Sequence, residues 1–183
     1  MVWYGWPIDL RVIEKDPHMD PLSTRLMLGF LAGALSYLLF QGAFGSILYL
    51  ADLIPALPWN LMPVPPIGLP KSLSLGFWAG LWGLVYVSVE PRLSARLGWC
   101  MGGLVFGLAP LTIYWFVALP LKGLGVGGGF QSAMVPIEVG FHAVFGFGVA
   151  ILFRSSLALV HRKVRPSPEA YAKLKGGQSE HYR

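Results

Sequence analysis

Glu138 and His142 stand four residues apart in an otherwise apolar run, Ala133 to Phe153. That spacing puts both side chains on one face of a helix. A carboxylate and an imidazole so placed can share a hydrogen bond, pair as ions, relay protons or bind a cation. Gln41 interrupts another apolar run, Leu26 to Leu50, at ~22 Å from its start if the run is helical. Counted from the opposite end of its own run, Glu138 falls at ~7 Å and His142 at ~13 Å. Pro110, which frees the carbonyl of Phe106, sits at a similar depth, as do Trp78 and Tyr114. These residues are therefore expected to share one layer, with Glu138 bonded directly to His142 and Gln41 within reach. The layer is either a site for proton, cation or solute movement, or a set of polar contacts that only hold helices together. An ionised side chain at that depth needs a partner under either reading.

Other chemistry finds little support. A di-iron carboxylate centre needs several Glu and two Glu-x-x-His motifs, and a bis-histidine haem needs a second buried His. The apolar runs offer only Glu138 and His142. The single cysteine, Cys100, excludes an internal disulfide, a thiolate zinc site and a CxxC pair. Ser36, Ser46 and Ser88 have no histidine nearby in the chain and read as helix hydroxyls. The GVGGG stretch, Gly125 to Gly129, lacks the lysine and hydroxyl residue of a phosphate-binding loop and reads as a turn. The chain is thus not read as an enzyme, and neither a cofactor nor a metal is expected.

The elements that must position this layer are dictated by composition. Of 183 residues, 55% are hydrophobic and 13% charged, with positive mean hydropathy. Soluble domains carry roughly a quarter charged residues, and disordered chains carry little apolar content. Four stretches meet or approach the roughly 20 apolar residues that cross a bilayer as helix. They are Leu26–Leu50, Leu73–Val89, Leu97–Leu119 and Ala133–Phe153, the second closed by Glu90-Pro91, where proline is expected to stop the helix. The fold class is all-α: a polytopic membrane protein with four transmembrane helices. A segment 1–25 precedes the membrane domain 26–153, and a basic tail 154–183 follows it. The first run is too long for the apolar core of a signal peptide and is read as retained. Trp3, Tyr4 and Trp6 suit an interfacial opening segment, with Met19 as an alternative start.

Charge placement sets the expected orientation. Arg11, Lys15 and Arg25 precede the first run, Arg92 and Arg96 lie between the second and third, and seven Lys or Arg from Arg154 onward follow the fourth. The two remaining loops hold Lys71 and Lys122 alone, so both termini and the 90–96 loop are expected in the cytoplasm. The net charge of +5 is then a topology signal and a contact for anionic lipid at the tail, rather than a nucleic-acid footprint.

Small residues four apart let helix backbones approach closely. Gly29/Gly33, Gly76/Gly80, Gly98/Gly102 and Gly103/Gly107 all qualify. They serve either tight packing within one bundle or a face for a second copy or a partner subunit. Leu28-Gly29 with Gly33 is echoed by Leu97-Gly98 with Gly102, and Gly76-Phe77-Trp78-Ala79 by Gly140-Phe141-His142-Ala143. Two related hairpins would produce such echoes. The segment from Pro55 to Pro70 holds six prolines and excludes helix. It is either a spacer or an apolar cap on the outer face.

The run Pro63-Val-Pro-Pro-Ile-Gly-Leu-Pro70, followed by Leu-Ser-Leu-Gly-Phe-Trp-Ala-Gly-Leu-Trp-Gly83, resembles a group of uncharacterised four-span bacterial membrane proteins. From Leu75 to Arg154 the chain is also distantly similar to the YagU-like inner-membrane proteins. That similarity rests on Glu90-Pro91, Pro120-Leu-Lys-Gly123 and Glu138-x-x-x-His142. The long proline-rich segment departs from the YagU pattern. The resemblance implies a bacterial inner membrane and no particular chemistry.

Overall fold

The computed structural model describes residues 21–65 and 67–164. The aromatic opening segment, Met19, Pro66 and the tail beyond Val164 lie outside the described residues. The first long helix is built from α1 (Pro21–Leu35), a π-helical segment (Ser36–Gln41) and α2 (Gly42–Leu50). Helical backbone angles at Leu35 and Gly42 make the three continuous. A two-stranded antiparallel ribbon follows, β1 (Pro63–Val64) with β2 (Leu69–Pro70). Next comes α3 (Lys71–Ile113), extended by a second π-helical segment (Tyr114–Ala118) and the short α4 (Leu119–Leu121). A single 3-10 turn (Val126–Gly129) leads to α5 (Met134–Val164).

Among the described residues, three helices are long and apolar enough to cross a membrane. They are Leu22–Leu50, Lys71–Leu121 and Met134–Val160, of 29, 51 and 27 residues. Side chains on their outward faces stay apolar: Leu39, Phe77, Trp78, Leu108 and Phe116 are all about half exposed. A surface of that kind suits hydrocarbon rather than water.

The middle helix would be ~76 Å long if it ran straight, more than twice the ~30 Å hydrocarbon core. It does not run straight. Gly98 has φ 75° and ψ 161°, a conformation open essentially to glycine alone. The chain doubles back there: Leu93 lies against Gly102, and the Trp82 and Tyr86 rings meet Phe106 at 6.3 and 5.0 Å between centroids. Two antiparallel arms result, 71–97 and 99–121. Gly98 is thus a turn residue and not, as its spacing with Gly102 implied, a contact between helices. We expect Gly98→Ala to destabilise the protein by ~1–3 kcal/mol, because alanine pays the strain of that backbone conformation. Nothing lies within 4 Å of the added Cβ, so a thermal unfolding midpoint equal to wild type would show that the turn is not strained for alanine.

The expected stop at Glu90-Pro91 is overturned, since helix continues through Pro91 to the turn. Proline removes one hydrogen bond, and neighbouring elements can make good the loss within a bundle. Arg25 of α1 donates to Glu90 Oε2 at 3.1 Å, and Ser94 Oγ donates to Glu90 Oε1 at 3.1 Å. These bonds tie the segment around Pro91 to α1 and to its own next turn. Arg25 also lies over the Phe153 ring, 5.3 Å from its centroid, which joins α5 to the same end.

The core sits where α1, both arms of α3 and α5 meet, around Ala32, Tyr86, Phe106, Phe145, Val149 and Phe153. Two glycine crossings bring the backbones together. Gly29 and Gly33 of α1 face Gly83 and Ala79 of the first arm; Gly103 and Gly107 of the second arm face Gly146 and His142 of α5. Gly80 contributes differently, with the Phe30 ring against it, and Gly76 has only the edge of Tyr37 in ordinary contact. At the centre, buried Ser36 donates to the Phe145 carbonyl at 2.7 Å, joining the first π-helical segment to α5.

Candidate functional site

The two π-helical segments lie at one level of the bundle and shape a single cavity of about 400 Å³. A π turn holds an extra residue, which widens the helix and rotates the side chains beyond it. The first segment presents Tyr37 and Gln41 to the cavity; the second opens with Tyr114, which also lines it. Glu138 and His142 enter from the first turns of α5. Gln41, Glu138 and His142 therefore line the same space.

Their hydrogen bonds differ from the expected set. His142 does not bond the Glu138 carboxylate. Its Nδ1 lies 2.8 Å from the Glu138 backbone carbonyl, one helical turn back. A carbonyl can only accept, so Nδ1 carries the proton, and in the neutral ring Nε2 keeps its lone pair. The Glu138 carboxylate turns instead toward the second π-helical segment, where Oε2 accepts the Trp115 indole N–H. Gln41 Nε2 donates to the Phe141 carbonyl at 2.9 Å. Its amide oxygen is not used in that bond.

Aromatic side chains make up much of the wall. Phe44 packs edge-on against Phe141, and the Tyr114 ring stands 5.7 Å from His142. Trp59 comes from the proline-rich segment, which packs back on the first long helix. Its indole packs on Gly42 and donates to the Leu38 carbonyl at 3.2 Å, within the first π segment. Next to Trp59, the Asn60 backbone N–H donates to Ser72 Oγ at 2.7 Å and ties the segment to the first turn of α3. Pro58 and Trp59 thereby close one side of the cavity.

Between the second arm and α5, Gly123 to Gly129 turns on glycines with positive φ, and Phe130 follows in the left-handed region at φ 48°. The Phe130 ring covers Gly127 and meets Trp115 edge-on at 5.4 Å. The GVGGG turn thus seats the indole that holds Glu138. Trp78, expected in the same layer, faces outward and takes no part.

Trp115, Tyr37 and Trp59 were not legible as site residues. Tyr37 lies four residues before Gln41, a usable signal, but Trp115 is one aromatic among many. No group of three His, Cys, Asp or Glu residues able to hold a metal occurs among the described residues. No family model, curated protein or solved structure matches the chain.

Proposed function

We propose that the chain is a four-span protein of the bacterial inner membrane that moves a proton, a cation or a small solute through the cavity bounded by Gln41, Glu138 and His142. The observation that carries this reading is the cavity itself, which joins three polar residues from two separate helices in an otherwise apolar bundle. The reversal at Gly98 supports counting the two arms of α3 as separate spans. It also gathers Arg25, Glu90, Trp99 and Arg154 at one end, with Arg154 over the Trp99 ring at 5.8 Å. That end is the cytoplasmic one by charge. The matching glycine crossings support two related hairpins, with Gly29/Gly33 corresponding to Gly103/Gly107 rather than to Gly98/Gly102.

Orientation is checked by cysteine labelling in a Cys100→Ser background. Ser167→Cys should react only from inside intact cells, and Ser132→Cys only from outside. Outside labelling at 167 would invert the topology and the depth of every site residue.

Function is checked by flux in reconstituted vesicles under a pH gradient. Glu138→Gln should lower proton or cation flux at least about tenfold, because the charge is gone. The fold should persist, since the Gln amide oxygen can still accept the Trp115 N–H. A second reading, a non-catalytic accessory subunit of a membrane complex, is favoured by one observation: Gln41, Glu138 and His142 each already have a hydrogen bond within the bundle. Absence of flux in wild type at any pH would leave that reading in place.

A further inference from the structure

We infer that the cavity recognises an organic ammonium ion, a positively charged nitrogen carrying an apolar body. The inference rests on the transport reading above and names the substrate class for the same site. Glu138 brings a carboxylate to the wall, and the structure shows no basic side chain within 4 Å of it among the described residues. A bound anion would meet that charge unfavourably, and an uncharged solute would leave it unmatched. The Trp115 N–H gives this carboxylate one hydrogen bond but no opposite charge, so the ligand that complements it is a cation.

The rest of the wall selects which cation. Tyr37, Trp59, Tyr114 and Phe141 offer ring surface, and ring faces attract ammonium groups through their quadrupoles. Lys122 Nζ lies over the Tyr114 ring, 5.9 Å from the centroid, so a ligand ammonium would share that ring with Lys122 or displace it. An inorganic divalent ion is a poor fit, because it needs about six oxygen ligands. The wall's oxygen-bearing side chains are Glu138, Gln41, Tyr37 and Tyr114, and one Glu138 oxygen already accepts the Trp115 N–H, so fewer than six are free. A volume near 400 Å³ is also within the range of pockets for small organic ligands and far larger than a bare ion requires. Carboxylate at one side, aromatic faces around it and room for an apolar body together describe a site for a monovalent amine or quaternary ammonium.

The test uses the full chain in nanodiscs, with choline as probe and dimethylbutanol, its uncharged carbon isostere, as control. Calorimetric titration should show choline binding at least about tenfold tighter than the isostere. Glu138→Gln and Tyr114→Leu should each weaken choline about tenfold, while Tyr114→Phe, which keeps the ring face, should stay near wild type. Excess rubidium should not displace choline. Equal binding of the isostere, displacement by rubidium, or indifference to both weakening substitutions in folded protein would overturn the assignment. Glu138-dependent proton or rubidium flux in vesicles, with no choline binding or movement, would refute the ammonium assignment and leave the transport reading standing. No flux of any cation and no choline binding would remove both.

Discussion

Gly107→Leu should prevent the bundle from assembling, with loss of folded, monodisperse protein in detergent. A Cβ at position 107 would fall on the His142 carbonyl, 2.8 Å from its carbon and 3.3 Å from the Ala143 Cα. These are backbone atoms, so no rotamer change relieves the clash. The facing position is equally tight, since a Cβ on Gly146 would lie 2.7 Å from the Gly107 nitrogen. Forcing such helices apart costs more than the ~1–3 kcal/mol typical of overpacking, because the whole crossing must open. Gly107→Ala should lower the unfolding midpoint measurably and keep some folded protein. Gly76→Ala is the contrast: its Cβ would meet only Tyr37 Cδ1 at 3.8 Å, an ordinary contact. Its midpoint should match wild type. A normal midpoint for Gly107→Leu would show that α5 and the second arm are not held by this crossing.

The contrast between Gly76 and Gly107 also shows what spacing can and cannot convey. Four-residue glycine pairs marked Gly29/Gly33 and Gly103/Gly107, and both form backbone crossings. The same rule selected Gly76 and Gly98, which do not. It passed over Gly83, against which Gly29 packs, and Gly146, because their small partners four residues away are Ala79 and Ala150, which a search for glycine pairs omits. Long apolar runs were legible because hydrophobicity integrates over 20 or more residues. Helix ends were not. Pro91 carries the strongest local stop signal in the chain, yet Arg25 and Ser94 hold Glu90 beside it and the helix goes on to Gly98. The bond between Arg25 and Glu90 spans 65 positions, which no local pattern reveals. At the site, spacing placed Glu138 and His142 on one face and depth placed Gln41 near them. Two π turns then decided which other side chains join them, and nothing in the residues Ser36–Gln41 or Tyr114–Ala118 announces a wider helix.

Trp115→Phe tests the least legible of these contacts and leaves the glycine crossings intact. Phenylalanine keeps a ring against Phe130 but removes the only hydrogen-bond donor that reaches the Glu138 carboxylate among the described residues. A partly buried carboxylate without a donor loses a charge-assisted bond worth ~1.5–3 kcal/mol. Hydrogen bonds between helices in a membrane average less, ~0.6 kcal/mol with a ceiling near 1.7. The charge on Glu138 argues for the upper end of that narrower range, so a loss of about 1.5 kcal/mol is expected. The loss should be specific to the pair. Removing the carboxylate as well, in a Glu138→Leu/Trp115→Phe double variant, leaves no polar group stranded and should cost less than the two single changes added together. Thermal or chemical unfolding of the four proteins in one detergent gives the coupling directly. A coupling of about 1 kcal/mol or more would establish that Trp115 holds Glu138 in place. Strict additivity would mean that the carboxylate finds water or another partner when the indole is gone, and that the turn from Gly123 to Phe130 has no hold on the site.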